Sequence, residues 1–252
     1  FENLIFIKKK KYWEIEIFTE NLIRDLHIIK NLFKINPKKI ADVKSLDWVK
    51  QNQNDDHGVE TDFFFFSQGL KKHKKKKKFE ITLLNSMAFG TGKHESTYLA
   101  IKNIESIVKK KKISACCDLG TGSGILSFVM KKLTMKKVIA TDIDVQSEKV
   151  FFANKNNNYI NGISFVRCNG FNSNKLKKMK FDLIVANIFL NELKRMGHQF
   201  RKSLKLGGSL IISGILNSQK NDLVNYFNKI NLQLTKNICL RDWVSLIFIK
   251  IK

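Results

Sequence analysis

Asp118-Leu119-Gly120-Thr121-Gly122-Ser123-Gly124 is the stretch that decides how this chain folds. Ahead of it stands Ile113-Ser114-Ala115-Cys116-Cys117, a short apolar run suited to a buried strand, and residues 125–133 behind it carry apolar side chains at helical spacing. The context is therefore strand, tight glycine turn, helix. A second apolar run, Val138-Ile139-Ala140-Thr141, ends at Asp142, twenty-two residues after Gly120. That puts a carboxylate at the carboxyl edge of the neighbouring parallel strand, where it can accept both hydroxyls of a ribose.

The glycine spacing separates two kinds of nucleoside ligand. Dinucleotide sites use G-x-G-x-x-G, whose last glycine lets a helix amino terminus approach a pyrophosphate; here the order is G-x-G-x-G, and Ile125 stands where that last glycine would be. Asp118 is expected at the mouth of the turn, where a negative charge repels phosphate but suits the ammonium and sulfonium of S-adenosylmethionine. A glycine turn alone is explained equally well as a tight strand-to-helix connection, so Asp118 and Asp142 carry the cofactor reading.

Downstream the alternation continues: a helix over 145–156, a strand over 163–168, a strand over 181–188, a helix to about 204, a strand over 209–215 and a helix over 219–229. This is the rhythm of an α/β fold. Residues 232–240 and 243–251 are then two strand-like runs parted by Arg241-Asp242, too short for a parallel crossover, which makes them a hairpin. The expectation is a mostly parallel sheet ending in an antiparallel hairpin.

Upstream, Trp13, Ile15 and Ile17 alternate with Glu14 and Glu16 as in a half-buried strand, and Leu22, Ile23, Leu26, Ile29, Leu32 and Phe33 recur at helical spacing after a capping Thr19 and before Pro37. Phe63-Phe64-Phe65-Phe66 reads as a buried strand, with an exposed docking patch as the alternative. The run Lys71-Lys72-His73-Lys74 through Lys78 has no core-facing positions and is expected in solvent. The division this implies is a small α+β domain over 1–70, a basic linker or loop over 71–78, and a catalytic domain over 79–252.

The chain has 252 residues and a formal charge of +24. A basic face binds phosphate, yet five of the 46 basic residues are arginine, the side chain favoured for bidentate phosphate recognition. Lysine, asparagine, isoleucine and phenylalanine are abundant together, the composition that A/T-rich codons produce, and proximity to a ribosome or RNA is a second source of the charge. No apolar stretch approaches the roughly 18 residues that span a bilayer. The first residue is Phe1, without a recognisable leader, and the true start is expected to be missing. Cys116, Cys117, Cys168 and Cys239 form no C-x-x-C pair; adjacent Cys116 and Cys117 point to opposite faces of a strand and cannot clamp one ion, so all four are expected as small buried hydrophobes in a reducing, cytoplasmic setting, with no metal.

Two further stretches complete the site. Met87-Ala88-Phe89-Gly90-Thr91-Gly92-Lys93-His94-Glu95-Ser96-Thr97 is a glycine-rich segment entering a helix that begins near Ser96, and Phe181-Asp182-Leu183-Ile184-Val185-Ala186-Asn187-Ile188 is a buried strand whose last polar residue, Asn187, falls at the carboxyl edge beside the crevice. Taken alone, Asn187 is as readily a helix cap or a turn residue. Together with the glycine turn, residues 140–144 and Ser213-Gly214-Ile215-Leu216, these segments resemble the PrmA family, methyltransferases of large-subunit ribosomal protein eleven, over roughly 79–252. The Phe89-Gly90-Thr91-Gly92 segment with His94 and Thr97 is the specific part of the likeness. Asn85-Ser86-Met87 departs from the family's Pro-Gly, and Thr121 stands where cysteine is frequent.

The resemblance implies a class I Rossmann-like methyltransferase fold with an amino-terminal substrate-recognition domain, S-adenosylmethionine as methyl donor, and repeated N-methylation of α-amino and lysine ε-amino groups on the ribosomal protein. It carries cofactor contacts onto Thr97, Gly120, Asp142 and Asn187, to which the chemical reading adds Phe89, Gly122 and Asp118; Asn187 is also the catalytic candidate, holding the incoming amine, with water or His94 as proton acceptor. The alternatives are N-methylation of another protein or of nucleic acid. Against base methylation, Asn187-Ile188-Phe189 stands where such enzymes often carry Asn-Pro-Pro. A nicotinamide oxidoreductase is disfavoured by the glycine spacing, and an RNA-binding module without catalysis would need neither Asp142 nor the Phe89 segment. Oligomeric state is not legible.

Overall fold

The structure, a computed structural model, describes residues 3–8, 13–18, 58–68, 78–84 and 94–252. The helix expected around Leu22–Phe33, residues 46–50, the lysines at 71–77 and Phe89 lie outside them. The chain divides into two compact units, Phe1–Gln51 and Asn52–Lys252.

In the first unit, β1 (Asn3–Lys8) and β2 (Trp13–Phe18) form an antiparallel pair in which Asn3 lies opposite Phe18 and Lys8 opposite Trp13. The alternating stretch at 13–17 is thus a strand, as its period requires.

The second unit opens with a three-stranded sheet of β3 (Val59–Glu60), β4 (Phe64–Gln68) and β5 (Phe79–Leu83), with β4 and β5 parallel. Three of the four phenylalanines, Phe64 to Phe66, thus lie in a strand and not in a docking patch, with Phe63 half-buried in the turn before it: Phe64 is fully buried, and Phe66 packs with Ile81 and Leu83 into the same core as Ile101, Ile104 and Phe128. This moves the expected domain border. The strands on either side of the lysine run are hydrogen-bonded neighbours, so the run connects two parts of one unit, and the division falls between Gln51 and Asn52. Lys78, its last member, binds Glu60 at 2.8 Å and the Thr61 carbonyl at 2.9 Å.

After α1 (Glu95–Val108) the chain builds the main sheet from β6 (Ala115–Leu119), α2 (Ile125–Thr134), β7 (Lys137–Asp142), α3 (Val145–Asn157), β8 (Ile163–Arg167) and β9 (Phe181–Asn187). The short helices α4 (Leu190–Arg195) and α5 (Gly197–Ser203) follow, then β10 (Leu204–Leu216), α6 (Lys220–Lys229), β11 (Leu232–Leu240) and β12 (Trp243–Lys250). The seven strands lie in the order β11-β12-β10-β9-β6-β7-β8; β6 to β10 are mutually parallel, and β12 is antiparallel to both of its neighbours. The expected α/β class with a terminal hairpin is the observed one. The reversal of strand order occurs between β6 and β9, which opens a crevice at their carboxyl ends.

Cys116 and Cys117 show how the sheet is filled. Both are fully buried, but Cys116 packs with α1, α2 and α3 residues on one face while Cys117 joins Phe171, Phe200 and Phe227 on the other, so neighbouring strand residues feed separate cores. Burial pushes the Cys116 thiol up to about 12. The expectation fails for Cys239, which is exposed on edge strand β11, where the outward side of each pleat meets solvent, and for Cys168, which is half-buried just past the end of β8. The single helix expected before residue 204 is broken at Met196; Gly197 begins α5 against Tyr226, whose ring would lie 2.5 Å from any Cβ added there. No described helix is long and apolar enough to cross a membrane.

One buried carboxylate fastens the small sheet to the main one. Glu105, 1% exposed on α1, accepts a hydrogen bond from the Thr61 hydroxyl at 2.6 Å and another from the Phe63 backbone at 3.0 Å, closing the β3–β4 turn onto the helix. Replacing Glu105 with alanine strands two buried donors, at about 1–3 kcal/mol each. The expected loss in chemical denaturation of the Glu105→Ala protein is about 2–4 kcal/mol in a single cooperative transition, since the small sheet belongs to the same unit. A separate early transition for β3–β5 would contradict that.

Candidate active site

The glycine turn leaves β6 with three residues in the left-handed region, Gly120 at φ 70°, Gly122 at 52° and Gly124 at 90°. Gly120 and Thr121 both donate their backbone N–H to the Thr141 carbonyl at 2.9 Å, which draws the turn over the end of β7. Close approach also demands glycine: a Cβ on Gly120 would lie 2.5 Å from Ile188 Cγ2, and one on Gly124 would meet the rings of Phe128 and Phe151 at 2.5 and 2.8 Å. Ile125, in place of the dinucleotide glycine, is buried in the core.

Asp118 departs from expectation. It does not sit at the mouth of the turn but wholly beneath it, because its position near the end of a central strand faces the packed interior. Its Oδ2 accepts hydrogen bonds from the Thr121 hydroxyl at 2.6 Å and the Ser127 hydroxyl at 2.8 Å, so the carboxylate organises the turn from below. Burial raises its pKa to about 6, against the opposing pull of those hydrogen bonds and with a smaller contribution from the Asp142 charge. Its other oxygen, Oδ1, is buried with no hydrogen-bond partner among the described residues.

Asp142, at the end of β7, is half-buried and does two things with its carboxylate. Oδ2 accepts from Gly122 N–H at 2.8 Å, and Oδ1 accepts from Asp144 N–H at 3.1 Å. Each oxygen retains a lone pair. Asp144 caps α3, accepting from the backbone of Gln146 and Ser147 at 3.1 and 2.8 Å, and these bonds hold its carboxyl below the usual range. The cap signal, an aspartate immediately ahead of a helical segment, was present in the sequence.

On the other side of the crevice, Asn187 closes β9. Its Nδ2 donates to the Thr97 hydroxyl at 3.2 Å, which joins β9 to the first turn of α1, and its Oδ1 is buried without a partner among the described residues. Gly214 on β10 is what leaves that oxygen room: φ is +80°, and a Cβ there would stand 3.0 Å from Asn187 Oδ1 and 2.9 Å from the Ile188 carbonyl. Ser213 beside it donates to the Ser96 carbonyl at 2.7 Å. His94 caps α1, with Nδ1 accepting from Ser96 N–H at 3.2 Å and its ring edge against Trp243 at 4.5 Å. With Nδ1 accepting, a neutral ring carries its proton on Nε2, so the basic lone pair of His94 is spent on the helix cap.

Thr97, Gly120, Gly122, Asp118, Asp142 and Asn187 thus gather at the carboxyl ends of β6, β7 and β9; Phe89 lies outside the described residues. Sequence reading missed Asn154. Fully buried on α3, it donates to the Ser123 carbonyl at 2.9 Å and accepts from Leu84 N–H at 2.8 Å, bridging the glycine turn and the end of β5. Nothing in its asparagine-rich surroundings, Asn154 to Asn158, distinguished it.

A family model described as ribosomal protein L11 methyltransferase (PrmA) matches residues 5–250. The chain belongs to this family. It is 30% identical to the ribosomal protein L11 methyltransferase of Mesorhizobium japonicum over 87% of its own length and 77% of that protein. With the enzyme of the same name from Agrobacterium fabrum it shares 38% identity over 63% of this chain and 55% of the relative, so the chain spans little more than half of that protein's length. The crystal structure of a ribosomal protein L11 methylase from Lactobacillus delbrueckii subsp. bulgaricus superposes with a TM-score of 0.71 at 28% identity, covering 78% of this chain and all of that one. The fold is that of the class I methyltransferases.

In this PrmA-family site Asp142 has a structural duty beside any ligand contact. The Asp142→Ala substitution frees Gly122 N–H and is expected to lower the melting temperature as well as ligand affinity. Asp142→Asn keeps an acceptor oxygen for one of the two backbone donors and should recover part of the stability. Thermal denaturation of the two variants without ligand is the measurement; equal melting temperatures for wild type and Asp142→Ala would remove the turn-fastening role.

Proposed function

We propose that this chain transfers methyl groups from S-adenosylmethionine to α-amino and lysine ε-amino groups of ribosomal protein L11. The observation that carries the reading is a pair of buried acceptor oxygens, Asp118 Oδ1 and Asn187 Oδ1, without partners among the described residues, at the ends of adjacent strands in a chain matched to the PrmA family over 5–250. An orphaned buried acceptor costs about 1–3 kcal/mol unless a donor arrives. S-adenosylmethionine fits: its ammonium is a donor for Asp118 Oδ1, and the lone pairs left on Asp142 suit ribose hydroxyls. When bound it supplies a methyl group on a sulfonium, already activated, so the protein's work is alignment.

The acceptor amine presents a proton problem, since a lysine of pKa about 10.4 is almost wholly charged at neutral pH. Contact with the apolar side chain of half-buried Ile188 favours the neutral amine. Asn187 Oδ1 then accepts one amine N–H and fixes the direction of the nitrogen lone pair, while Nδ2, held by Thr97, sets which amide atom faces the crevice. An amide cannot take up the proton, and the lone pair of His94 is spent on the α1 cap, so the proton leaves for water.

Mass spectrometry of L11 incubated with the chain and S-adenosylmethionine tests the function, with a ladder of added methyl groups as the expected result; modification of nucleic acid and not L11, or tighter binding of NAD than of S-adenosylmethionine, overturns it. Asn187→Ala should lower the single-turnover rate by on the order of 10²-fold while leaving donor affinity nearly unchanged, because a misplaced amine costs rate more than donor binding.

Asp118 makes donor binding depend on pH. Its folded pKa of about 6 lies above the ordinary aspartate value of 3.8, and a cationic ligand prefers the ionised form. Affinity for S-adenosylmethionine should therefore rise between pH 5 and pH 7 and level off above, a trend that calorimetry should find absent in Asp118→Asn. The same shift acts on the free protein in the opposite direction. The folded state binds the extra proton between 3.8 and about 6, so this group's contribution to stability falls as pH rises through that window.

The upstream unit, Phe1–Gln51, is assigned the task of holding the protein substrate, since every donor-site residue lies in Asn52–Lys252. A protein started at Asn52 should keep donor binding and lose most L11 methylation, whereas free lysine peptides should be affected less. One started at Phe79 would lack β4 and with it buried Phe64, so it is the wrong cut for this test. Unchanged L11 methylation by the Asn52 protein would remove the docking role.

A further inference from the structure

Exposed, unpaired lysines cluster at one edge of the main sheet. At the carboxyl edge, around the crevice, Arg241 is paired with Glu95, Lys194 with Asp222, Arg195 with Glu192 and Arg167 with Glu148, while Lys149 and Lys220 carry no ion pair among the described residues. The amino edge of β6, β7, β9 and β10 differs. The segments entering these strands carry Lys110, Lys112, Lys136, Lys137, Lys177 and Lys178, all exposed and none with a side-chain hydrogen bond or ion pair among the described residues. The carboxylate at this edge, Asp182, is consumed by Lys205 at 2.9 Å and by the backbone N–H groups of Ser114 and Ala115, and these bonds, working against its burial, hold its carboxyl below the usual range.

Further cations crowd in on the same side. Lys250 reaches the Leu204 carbonyl at 3.1 Å, and its pKa is lowered by burial and by the nearby charges of Lys180 and Arg201. Lys111 reaches the Gly207 carbonyl at 3.1 Å, along a shallow groove shared with Lys112, Ile113 and Leu206. Complementing helix dipoles explains lysines in the last turn of a helix, such as Lys131 and Lys132 of α2. It does not explain Lys112, Lys137 and Lys178, which lie outside helices. A codon bias explains the number of lysines but not the gathering of six exposed, unpaired ones on the short segments that enter three neighbouring strands, β9, β6 and β7.

We infer that the amino edge of the sheet is a docking face for the phosphate backbone of RNA. From β12 to β7 it runs across five neighbouring strands, about 19 Å at the usual strand spacing, long enough to lie along several consecutive phosphates. Lysines acting as point charges, with few arginines for bidentate contacts, suit sequence-independent binding driven by counterion release. The face is opposite the crevice, so RNA held there leaves the crevice open to a protein substrate. That last consequence rests on the proposed methyl transfer; the docking face itself does not.

The test is fluorescence anisotropy of the full chain with a mixed-sequence single-stranded RNA oligonucleotide over a range of salt, without donor or protein substrate, so that a failure of the methyl-transfer reading leaves the result untouched. Two charge-matched variants are compared: Lys137→Glu with Lys178→Glu at the amino edge, and Lys149→Glu with Lys220→Glu away from it. The expected outcome is an affinity loss of about tenfold or more for the first pair at low salt, with the salt slope reduced by about 1.4, two lost contacts at roughly 0.7 each, and a much smaller change for the second pair. Lys137→Gln with Lys178→Gln, which only neutralises, should fall between, and an unchanged circular-dichroism spectrum and melting temperature report that each variant is folded. Equal losses in both Glu pairs would mean that net charge and not this face attracts RNA. That result, no RNA binding by the wild type, or binding confined to phosphatidylcholine–phosphatidylglycerol vesicles would overturn the inference.

Discussion

A carboxylate enclosed beneath a glycine turn is the constraint on which the site depends. Asp118 gives up its hydration entirely, at a cost of several kcal/mol for an ion of this size, and recovers part of it through the hydroxyls of Thr121 and Ser127. Thr121 stands among the glycines inside the turn, and Ser127 stands in the first turn of α2. The path of the chain between them is set by where the carboxylate must find its donors. Asp142 then fixes the outer side of the same turn through Gly122 N–H. A pocket floor results whose backbone is held from below and from the side, and whose remaining acceptor, Asp118 Oδ1, has no protein donor among the described residues.

The opposite wall is built from distant pieces of chain. Asn187 is held to Thr97 across ninety positions of sequence, and Ser213 to Ser96 across 117. Both bonds land on the first turn of α1, which is fixed in its own right by the His94 cap and by the ion pair of Glu95 with Arg241 from the terminal hairpin. The hairpin therefore has a local purpose beyond finishing the sheet: β12 supplies Trp243 against the His94 ring, and Ser245, buried on the same strand, accepts from Asn103 of α1 at 3.0 Å. Gly214, between the hairpin and β9, keeps the space beside Asn187 clear. Catalytic competence in such a wall is a matter of position, and position here is distributed over α1, β9, β10 and β12.

The same sheet separates chemistry from charge. Its carboxyl edge collects the residues that face the crevice, with each nearby arginine balanced by an acid, while its amino edge leaves lysines unbalanced. Between the two edges lie the two predominantly apolar cores, one on either face.

The sequence by itself determined the α/β class, the order of strands and helices from β6 onward, the terminal hairpin and the set of residues at the carboxyl edge. These follow from local signals: apolar runs of strand length, helical periodicity, glycines where φ must be positive, and polar residues at the ends of apolar runs. Tertiary structure decided the rest. That Asp118 faces inward depends on packing above and below a central strand, and that β4 belongs with β5 depends on a pairing across a lysine run with no apolar pattern of its own. The bridge by Asn154 and the clustering of exposed lysines at one edge likewise arise from residues far apart in sequence. Hydrogen-bond partners across a fold carry no local periodicity, so a linear pattern cannot reveal them; they exist once the sheet has set which strand ends lie side by side.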